Sequence, residues 1–311
     1  MMQDASLTHE IWNGWHRQHV RAIVQPASEA EVITAVVQAR ERGGHVKAIG
    51  GRHSFNNISF SGADDRGGDT ILDLRRLAQV LHVDRATGLV RVQAGISLWK
   101  LVPILAYHGL ALPNVGAWMA QTLAGVLATG THGSGGRHRQ SLLGAFRAVR
   151  IVDGTGVARA LSAHELSFLN LGCFGVVTEV TLACVPLYQC ERRKARVHVD
   201  DAFEQIPEKL QQHDFVDLRW TGRNRTGLLT TWEINTRPST KLDRVRSWVE
   251  GYLLGAVNLA IAHYPYAYIP QPVTNAVLAG FGVAYTQAAF TGPQNEIWYR
   301  SLTFNSKAPI A

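Results

Sequence analysis

Cysteine is scarce in this chain, which has only Cys173, Cys184 and Cys190 among its 311 residues. A small, odd number of cysteines gives no disulfide framework and favours a reducing compartment. The sequence also lacks a C-x-x-C or H-E-x-x-H motif, and its 13 histidines show no metal-ligand spacing. We therefore predict no structural or catalytic metal.

Long runs of one residue class are also missing. The N-terminus has no basic segment followed by an apolar core, so no secretory signal is predicted. The longest apolar stretch, residues 252–262, is too short and too interrupted to span a bilayer. Basic residues are dispersed, and the densest group, residues 192–196, is interpreted as a solvated strand edge. A net charge of +7 then suits an anionic ligand or weak contact with acidic lipid, and no nucleic acid is expected. We expect a cytoplasmic protein and leave peripheral membrane association open.

Glycine, in contrast, is plentiful and clustered. The 29 glycines concentrate at residues 50–51, 67–68, 130–136 and 172–175. Such clusters indicate loops where the backbone approaches a ligand closely. With 46% apolar and 18% charged residues, the composition is that of a folded protein of one large or two ordinary domains.

Hydrophobic periodicity predicts an α+β protein whose element order changes at Pro186. Before it, strands are predicted at residues 20–24, 46–49, 70–74, 80–84, 89–94, 149–152, 157–161 and 176–185, the last one buried. Helices are predicted after Ser28, with a capping box to Glu31, after Ser97, with a risk of a kink at Pro103, and over residues 121–129. After Pro186 the prediction is a strand at 195–199, a helix from Asp201, strands at 215–220 and 228–235, and an amphipathic helix at 240–263.

The segment Gly50-Gly51-Arg52-His53-Ser54-Phe55-Asn56 follows a strand in a strand–helix–strand unit. Successive backbone N–H groups in such a loop can cradle a pyrophosphate. It differs from the G-x-G-x-x-G pattern, which opens a helix, because residues 55–57 are predicted to continue as loop. A glycine turn with a surface histidine is the alternative interpretation.

Two later segments have similar chemistry. Gly130-Thr131-His132-Gly133-Ser134-Gly135 combines flexible backbone with hydroxyl and N–H donors, so we favour contact with an anion or a cofactor over a flexible linker. In Leu171-Gly172-Cys173-Phe174-Gly175-Val176-Val177-Thr178, two glycines three apart let the backbone pack against a flat ligand. A tight turn into a core strand explains this third segment equally well.

In this order, and with Asn-Val-Gly-Ala at residues 114–117 and Thr-Leu-Ala-Gly at 122–125, the motifs resemble the FAD-binding domain of the vanillyl-alcohol oxidase superfamily. Within it, the sequence is most similar to the sugar-lactone oxidases that act on gulonolactone and arabinonolactone, and next to alditol oxidase. The resemblance is strong over residues 10–190 and weakens beyond. It implies a PCMH-type FAD-binding domain of two α+β subdomains at 1–187 and a partial α+β substrate, or cap, domain at 188–311.

The resemblance also implies roles for individual residues. FAD is the expected cofactor, bound covalently through His53, with its pyrophosphate on Gly50, Gly51, Arg52 and Ser54. The residues expected to line the flavin are Pro113, Asn114, Gly116, Ala117, Thr122, Gly125, Thr129, Thr131, His132 and Ser134. Those expected near the adenine are Gly172, Gly175 and Val177.

The implied reaction is oxidation of a secondary alcohol of a sugar-derived aldonolactone, with molecular oxygen as acceptor and hydrogen peroxide as product. In the family, a small residue at Gly116 leaves a path for oxygen. Ala117 stands where alditol oxidase has a substrate-binding serine, which favours a lactone. An alditol oxidase, a flavin-binding protein without catalysis, and a nucleotide-binding module without flavin are the alternatives. Relatives are expected to be longer, the chain is expected to be a truncated product or fragment, and no general base is assigned.

Overall fold

The computed structural model describes residues 7–12, 14–60, 69–116, 118–137, 142–165, 170–220, 225–246, 248–249, 252–253 and 292–297. The described elements form a mixed α/β structure, as the sequence predicts. They group into a small parallel sheet, a five-stranded antiparallel sheet and a four-stranded antiparallel sheet.

The first group surrounds a parallel sheet of order β3-β5-β4. Its elements are β1 (Leu7–Glu10), β2 (Arg17–Val20), β3 (Ala22–Val24), α1 (Glu29–Glu41), β4 (Val46–Ile49) and β5 (Thr70–Asp73), with β1 paired to β2. The capping box that starts α1 is confirmed: the Ser28 hydroxyl accepts from the Glu31 N–H at 3.2 Å. The Glu31 carboxylate reaches back one residue further than predicted, to the Ala27 N–H at 2.9 Å.

The second group is an antiparallel sheet of order β10-β9-β11-β7-β6 with two helices packed on it. Its elements are β6 (Val80–Val83), β7 (Leu89–Gln93), α2 (Leu98–Tyr107), β8 (Leu110–Ala111), α3 (Leu123–Ala128), β9 (Phe146–Val152), β10 (Ala158–Ser162), β11 (Val176–Ala183) and β12 (Val185–Pro186). Short 3-10 turns lie at Asn57–Ser59, Leu74–Arg76 and Leu142–Ala145.

Two predictions in this group need qualification. Pro103 lies inside α2 without ending it, because the face that carries Leu98, Leu101 and Leu105 is fully buried. Burying several such side chains stabilises by about 1.5–3 kcal/mol each, against about 3 kcal/mol for an interior proline. The strand β11 was predicted as buried, but its residues alternate between buried and half-buried. It has antiparallel neighbours on both sides and turns only one face to the core.

The third group is an antiparallel sheet of order β14-β15-β13-β16. Its elements are β13 (Gln189–His198), α4 (Val199–Gln212), β14 (Phe215–Arg219), β15 (Thr226–Asn235) and β16 (Gly292–Ile297). The strand predicted at 195–199 thus begins earlier. Residues 192–194 do not form a sheet edge, because they pair with β15 on one side and β16 on the other, whereas Ala195 and Arg196 pair with β15 alone among the described strands. Of the amphipathic helix predicted at 240–263, the described residues between 241 and 253 are helical, and the remainder lies outside the described residues.

The change of sheet between β12 and β13 falls where the sequence predicts a domain boundary, and the division at residue 187 remains a prediction. One apolar core nevertheless runs through both sides, since Leu112 and Val115 belong to the same buried cluster as Cys190, Phe215 and Trp232. All three cysteines are free thiols. Over the described residues, no helix has both the length and the apolar character needed to cross a membrane.

Candidate functional site

A cavity of about 550 Å³ opens where the carboxyl end of β4 faces α3 and the turn that precedes β11. Cavities of this size accommodate small molecules and cofactors. The residues that line it are Lys47, Ala48, Ile49, Gly50, Gly51, Arg52, His53, Ser54, Phe55, Asn56, Ile58, Ser59, Leu74, Ala94, Gln121, Thr122, Ala124, Gly125, Ala128, Thr129, Asn170, Leu171, Gly172, Gly175 and Val177.

The loop at 50–54 forms one wall and packs tightly on the start of α3. A Cβ atom at Gly50 would lie 1.8 Å from the Oγ1 of Thr122, so only glycine fits there. The next residue but one, Arg52, has a left-handed backbone with φ of 59°. Within the described part of the chain, Leu171 is the only other non-glycine residue with positive φ, and it too lines the cavity. Backbone strain of this kind tends to gather at ligand sites.

The turn at 170–175 forms the opposite wall. The Asn170 side chain accepts from the Gly172 N–H at 2.8 Å, and the Lys47 ammonium donates to the Leu171 carbonyl at 3.2 Å. Gly175 has φ of 130°, and a Cβ there would lie 2.4 Å from the Val152 carbonyl oxygen. This position therefore requires glycine and brings the backbone close to the cavity before β11 begins.

His53 is half-buried within the cavity wall. Its Nε2 accepts a 3.4 Å hydrogen bond from the Trp118 indole N–H. Burial lowers the pKa of His53, the positive charge of Arg52 lowers it further, and a hydrogen bond to the Ala120 backbone acts in the opposite direction. The net effect favours the neutral imidazole, which is the nucleophilic form.

Charge in the cavity wall has one sign. Lys47 and Arg52 are cationic, and none of the described lining residues is an aspartate or glutamate. With backbone N–H groups in the 50–54 loop and a hydroxyl at Ser54, such a wall suits an anionic ligand such as a pyrophosphate. A negative ligand meets no carboxylate among these residues, so its binding carries no charge repulsion from the described lining.

Two further loops that the sequence singles out, at 113–116 and 130–134, pack against each other beside this cavity. A Cβ at Gly133 would lie 2.2 Å from the Val115 carbonyl oxygen, and one at Gly116 would lie 2.7 Å from Cγ2 of Thr131. The same Cβ at residue 116 would lie 3.8 Å from the side-chain oxygen of Gln121, and Gln121 does line the cavity. These loops thus adjoin the cavity through Gln121 without forming its wall.

The predicted residues therefore fall into three sets. The cavity wall contains Gly50, Gly51, Arg52, His53, Ser54, Thr122, Gly125, Thr129, Gly172, Gly175 and Val177. The adjoining loops contain Pro113, Asn114, Gly116, Thr131, His132 and Ser134. Ala117 lies outside the described residues.

The sequence analysis missed Lys47 and Gln121 in the wall, and it singled out the segment that begins at Leu171 without naming Leu171 as a contact. No local signal marks Lys47, which is one polar residue in a short strand and meets the turn at Leu171 only in the folded chain. Across the described residues, no three His, Cys, Asp or Glu side chains come together as metal ligands.

The family described as FAD binding domain matches residues 20–162. An L-gulono-1,4-lactone dehydrogenase from Mycobacterium tuberculosis is 36% identical over 214 residues, 67% of this chain and 48% of that protein. An L-gulonolactone oxidase from Mus musculus is 28% identical over 261 residues, 80% of this chain and 56% of that protein. The chain thus spans about half the length of these curated relatives.

Solved structures show the same fold. A cholesterol oxidase from B. sterolicum superposes with a TM-score of 0.67 at 15% identity, over 96% of this chain and 62% of that one. An alkyldihydroxyacetonephosphate synthase superposes with a TM-score of 0.61 at 18% identity, over 69% of this chain and 48% of that one. At such low identity the likeness concerns the fold alone.

Proposed function

Because residues 20–162 belong to the family of FAD-binding domains, and FAD is therefore the cofactor of this chain, we propose that the protein takes part in FAD-dependent oxidation of a sugar-derived aldonolactone. The observation that carries the proposal is the cavity lined by the 50–54 loop, α3 and the turn before β11. The relatives named as gulonolactone or arabinonolactone oxidases and dehydrogenases support the substrate class.

The described residues fit FAD in shape and in charge. Glycines stand where side chains would fill the cavity or collide with its wall, as at Gly50 and Gly175. The cationic residues Lys47 and Arg52 face the cavity, with no acidic residue among the described lining. A dinucleotide has two negative phosphates, and backbone N–H groups with nearby cations are a common way to hold them.

In the proposed arrangement, the pyrophosphate lies on the 50–54 loop and the adenine lies near Gly172, Gly175 and Val177. The flavin lies toward α3 and the adjoining loops. Its proposed contacts are Pro113, Asn114, Gly116, Ala117, Thr122, Gly125, Thr129, Thr131, His132 and Ser134.

His53 is proposed to hold the flavin covalently. A neutral imidazole nitrogen is a competent nucleophile, and both burial and Arg52 favour that form. The new carbon–nitrogen bond replaces one N–H bond of His53 and one C–H bond of the flavin methyl group. A bound flavin would take up the two hydrogen atoms released, and molecular oxygen would reoxidise it and become hydrogen peroxide.

When bound, FAD accepts a hydride from the carbinol carbon of the substrate. The protein binds and orients both partners, and the apolar side chains behind α3 keep water from that side of the site. Molecular oxygen is the proposed final acceptor. The small residue Gly116 supports this, although one relative is named a dehydrogenase and another an oxidase.

The cofactor part of the proposal is tested by the absorbance spectrum of the purified chain before and after acid precipitation, with H53A as the matched variant. We expect yellow colour that stays with wild-type precipitate and is released from H53A. A folded wild-type chain that stays colourless and takes up no added FAD would contradict the assignment, with circular dichroism used to establish folding.

The substrate part is tested separately, by anaerobic mixing of the flavin-loaded protein with aldonolactones and with open-chain alditols. Bleaching of the visible absorbance band of the oxidised flavin should occur with a lactone. Bleaching by alditols alone would favour an alditol oxidase. A loaded protein that no sugar bleaches would leave a flavin-binding protein without catalysis.

A further inference from the structure

Strand β11 contains one more residue than its neighbour β9 where the two strands pair. Val177 and Glu179 lie opposite two consecutive residues of β9, 151 and 150. Thr178 lies between them without a pairing partner in β9 and therefore forms a β-bulge. Bulges re-aim side chains and are common beside binding sites. This bulge directly follows Val177, which lines the cavity.

The bulge decides which face of the sheet Val177 belongs to. Side chains along a regular strand alternate between its two faces, so residues three apart point in opposite directions. Val177 and Val180 are three apart, yet both pack in the apolar core that contains Leu123 of α3. In a β11 without the extra residue, a core position for Val180 would turn Val177 toward the opposite face, where Val176 packs with α1. The bulge therefore keeps Val177 on the side of the cavity.

The side chain of the bulged residue is held by the first turn of α1. The Thr178 hydroxyl, which is buried, donates to the Glu29 carboxylate at 2.8 Å, while the Arg150 carbonyl is a more distant acceptor at 3.3 Å. The Arg150 guanidinium donates to the same carboxylate oxygen at 2.6 Å. This bond from Arg150 lowers the pKa of Glu29, burial opposes it, and the bond from Thr178 lowers the pKa further. The acceptor is therefore ionised at neutral pH, which strengthens its bond with Thr178.

The backbone of the bulged residue is tied to other parts of the cavity wall. The Ala94 N–H donates to the Thr178 carbonyl at 2.9 Å, and the Ala124 N–H donates to the Ala94 carbonyl at 2.9 Å. Both alanines line the cavity, one after β7 and one in α3. A displacement of Thr178 would therefore move the wall at several points together.

We infer that Glu29 and Thr178 are positioning residues for the dinucleotide: their hydrogen bond holds the bulge that turns Val177 toward the cavity, at the end where the adenine is proposed to lie. Neither side chain lines the cavity, so both act through the wall residues beside the bulge. The inference rests on the proposed function only through the placement of the adenine. It does not depend on the lactone substrate or on the covalent tether.

The test is the affinity of the full chain for ADP, which has the adenine and the phosphates of FAD without the flavin. ADP competes with FAD in a titration followed by flavin fluorescence, in the H53A background that keeps flavin binding reversible. T178V keeps the shape of the side chain and loses the hydroxyl. We expect it to raise the Kd for ADP roughly three- to tenfold, the effect of one lost hydrogen bond. The Kd for riboflavin, which has no adenine, should change by less than about twofold.

Two further variants of β11 control for the substitution itself. T178S retains the hydroxyl and should bind ADP as the parent protein does. T181V makes the same change on the same strand, at a half-buried residue that does not line the cavity, and should leave both affinities unchanged. A loss of riboflavin affinity equal to the loss of ADP affinity in T178V would mean a general loosening of the site and would overturn the inference.

E29A removes the acceptor from the α1 side without changing β11, so it serves even if T178V fails to fold. It should raise the Kd for ADP roughly two- to tenfold, and it should have no further effect when combined with T178V, because both changes break one bond. Unchanged ADP affinity in E29A and T178V, or fully additive losses in the double variant, would contradict the inference.

The outcome for the proposed function is separate. If ADP displaces no FAD even from the parent protein, the adenine placement is wrong and the inference is overturned with it. If ADP binding responds to the variants as expected but no lactone reduces the flavin, the inference stands and the proposed activity is removed.

Discussion

The ammonium group of Lys47 donates a 3.2 Å hydrogen bond to the carbonyl oxygen of Leu171, a residue 124 positions later in the chain. The bond ties the strand before the 50–54 loop to the turn on the opposite wall of the cavity. It also fixes the carbonyl group of Leu171, a residue whose backbone is left-handed with φ of 51°. One side chain thus supplies positive charge to the cavity and fixes the shape of its far wall.

Replacing Lys47 by methionine should weaken FAD binding while leaving the fold intact. We expect a roughly two- to tenfold rise in Kd, because the variant loses both a hydrogen bond and a positive charge near the proposed phosphates. The measurement is flavin fluorescence during titration with FAD, in an H53A background that keeps binding reversible. K100M is the matched control, since Lys100 also donates to a carbonyl, that of Ala78 at 2.7 Å, but away from the cavity. An equal loss in both variants would point to stability rather than to charge.

A methyl group at Gly50 should separate the 50–54 loop from α3. The added Cβ would lie 1.8 Å from Thr122 Oγ1, so G50A must push the loop or the start of the helix outward. Overpacking of this kind costs about 1–3 kcal/mol, and we expect a lower unfolding midpoint together with loss of FAD binding. In the control G154A, the new methyl meets no atom within 4 Å. Chemical denaturation and FAD titration of both variants measure the difference, and a G50A that binds FAD like wild type would contradict the proposed site.

A side chain at Gly116 should slow the reaction with oxygen more than reduction by substrate. The Cβ of G116A would lie 2.7 Å from Cγ2 of Thr131, so the variant also disturbs the adjoining loop. The double variant G116A/T131S removes that methyl group and separates the two effects, with T131S alone as reference. Stopped-flow mixing of reduced protein with oxygen gives the rate. If G116A/T131S reoxidises as fast as T131S, Gly116 does not control oxygen access.

Ionised Asp73 should stabilise the fold at neutral pH, and this contribution should disappear in acid. Burial would raise its pKa, but hydrogen bonds from Arg75 and Gln25 outweigh burial and lower the pKa below its ordinary value of 3.8. As the pH falls, Asp73 is therefore protonated in the unfolded chain before it is protonated in the folded protein. The contribution is complete above about pH 4 and fades as pH falls through the lower, folded pKa.

The substitution D73N removes the charge and keeps the shape. We expect a loss of about 1–3 kcal/mol at neutral pH, because the Arg75 contact at 2.6 Å loses its charged acceptor. The difference from wild type should shrink as pH falls below about 4. Urea denaturation across this range measures it. A difference that does not change with pH would mean that the carboxylate charge is not what matters.

Local signals in the sequence predicted the parts of the fold that depend on neighbouring residues. The Ser28–Glu31 capping box starts α1 as predicted, and Val46–Ile49 is a strand over the predicted residues. β16 was not predicted, because its pairing partner β13 lies about a hundred residues earlier. Long-range pairing leaves no trace in a short window of sequence.

The same distinction applies to the candidate site. Glycine clusters marked the loops at 50–54 and 172–175, since glycine requirements are a property of the local backbone. Lys47 and Trp118 were missed, because each matters through a partner, Leu171 or His53, that only the folded chain brings near. A lysine is equally suited to an exposed strand position, and a tryptophan to a contact in the core, so neither residue type alone indicates a cofactor site.

The loop that follows His132 continues onto the third sheet. The Val216 N–H donates to the Ser134 carbonyl at 2.9 Å, and the Gly136 N–H donates to the Asp214 carbonyl at 2.9 Å. β14 would otherwise be an edge strand with free backbone groups, the kind of edge that recruits strands from other molecules. The loop after His132, proposed to contact the flavin, therefore also covers the exposed edge of β14. Loss of the cofactor would weaken this cover. Aggregation of cofactor-free protein would then begin at β14.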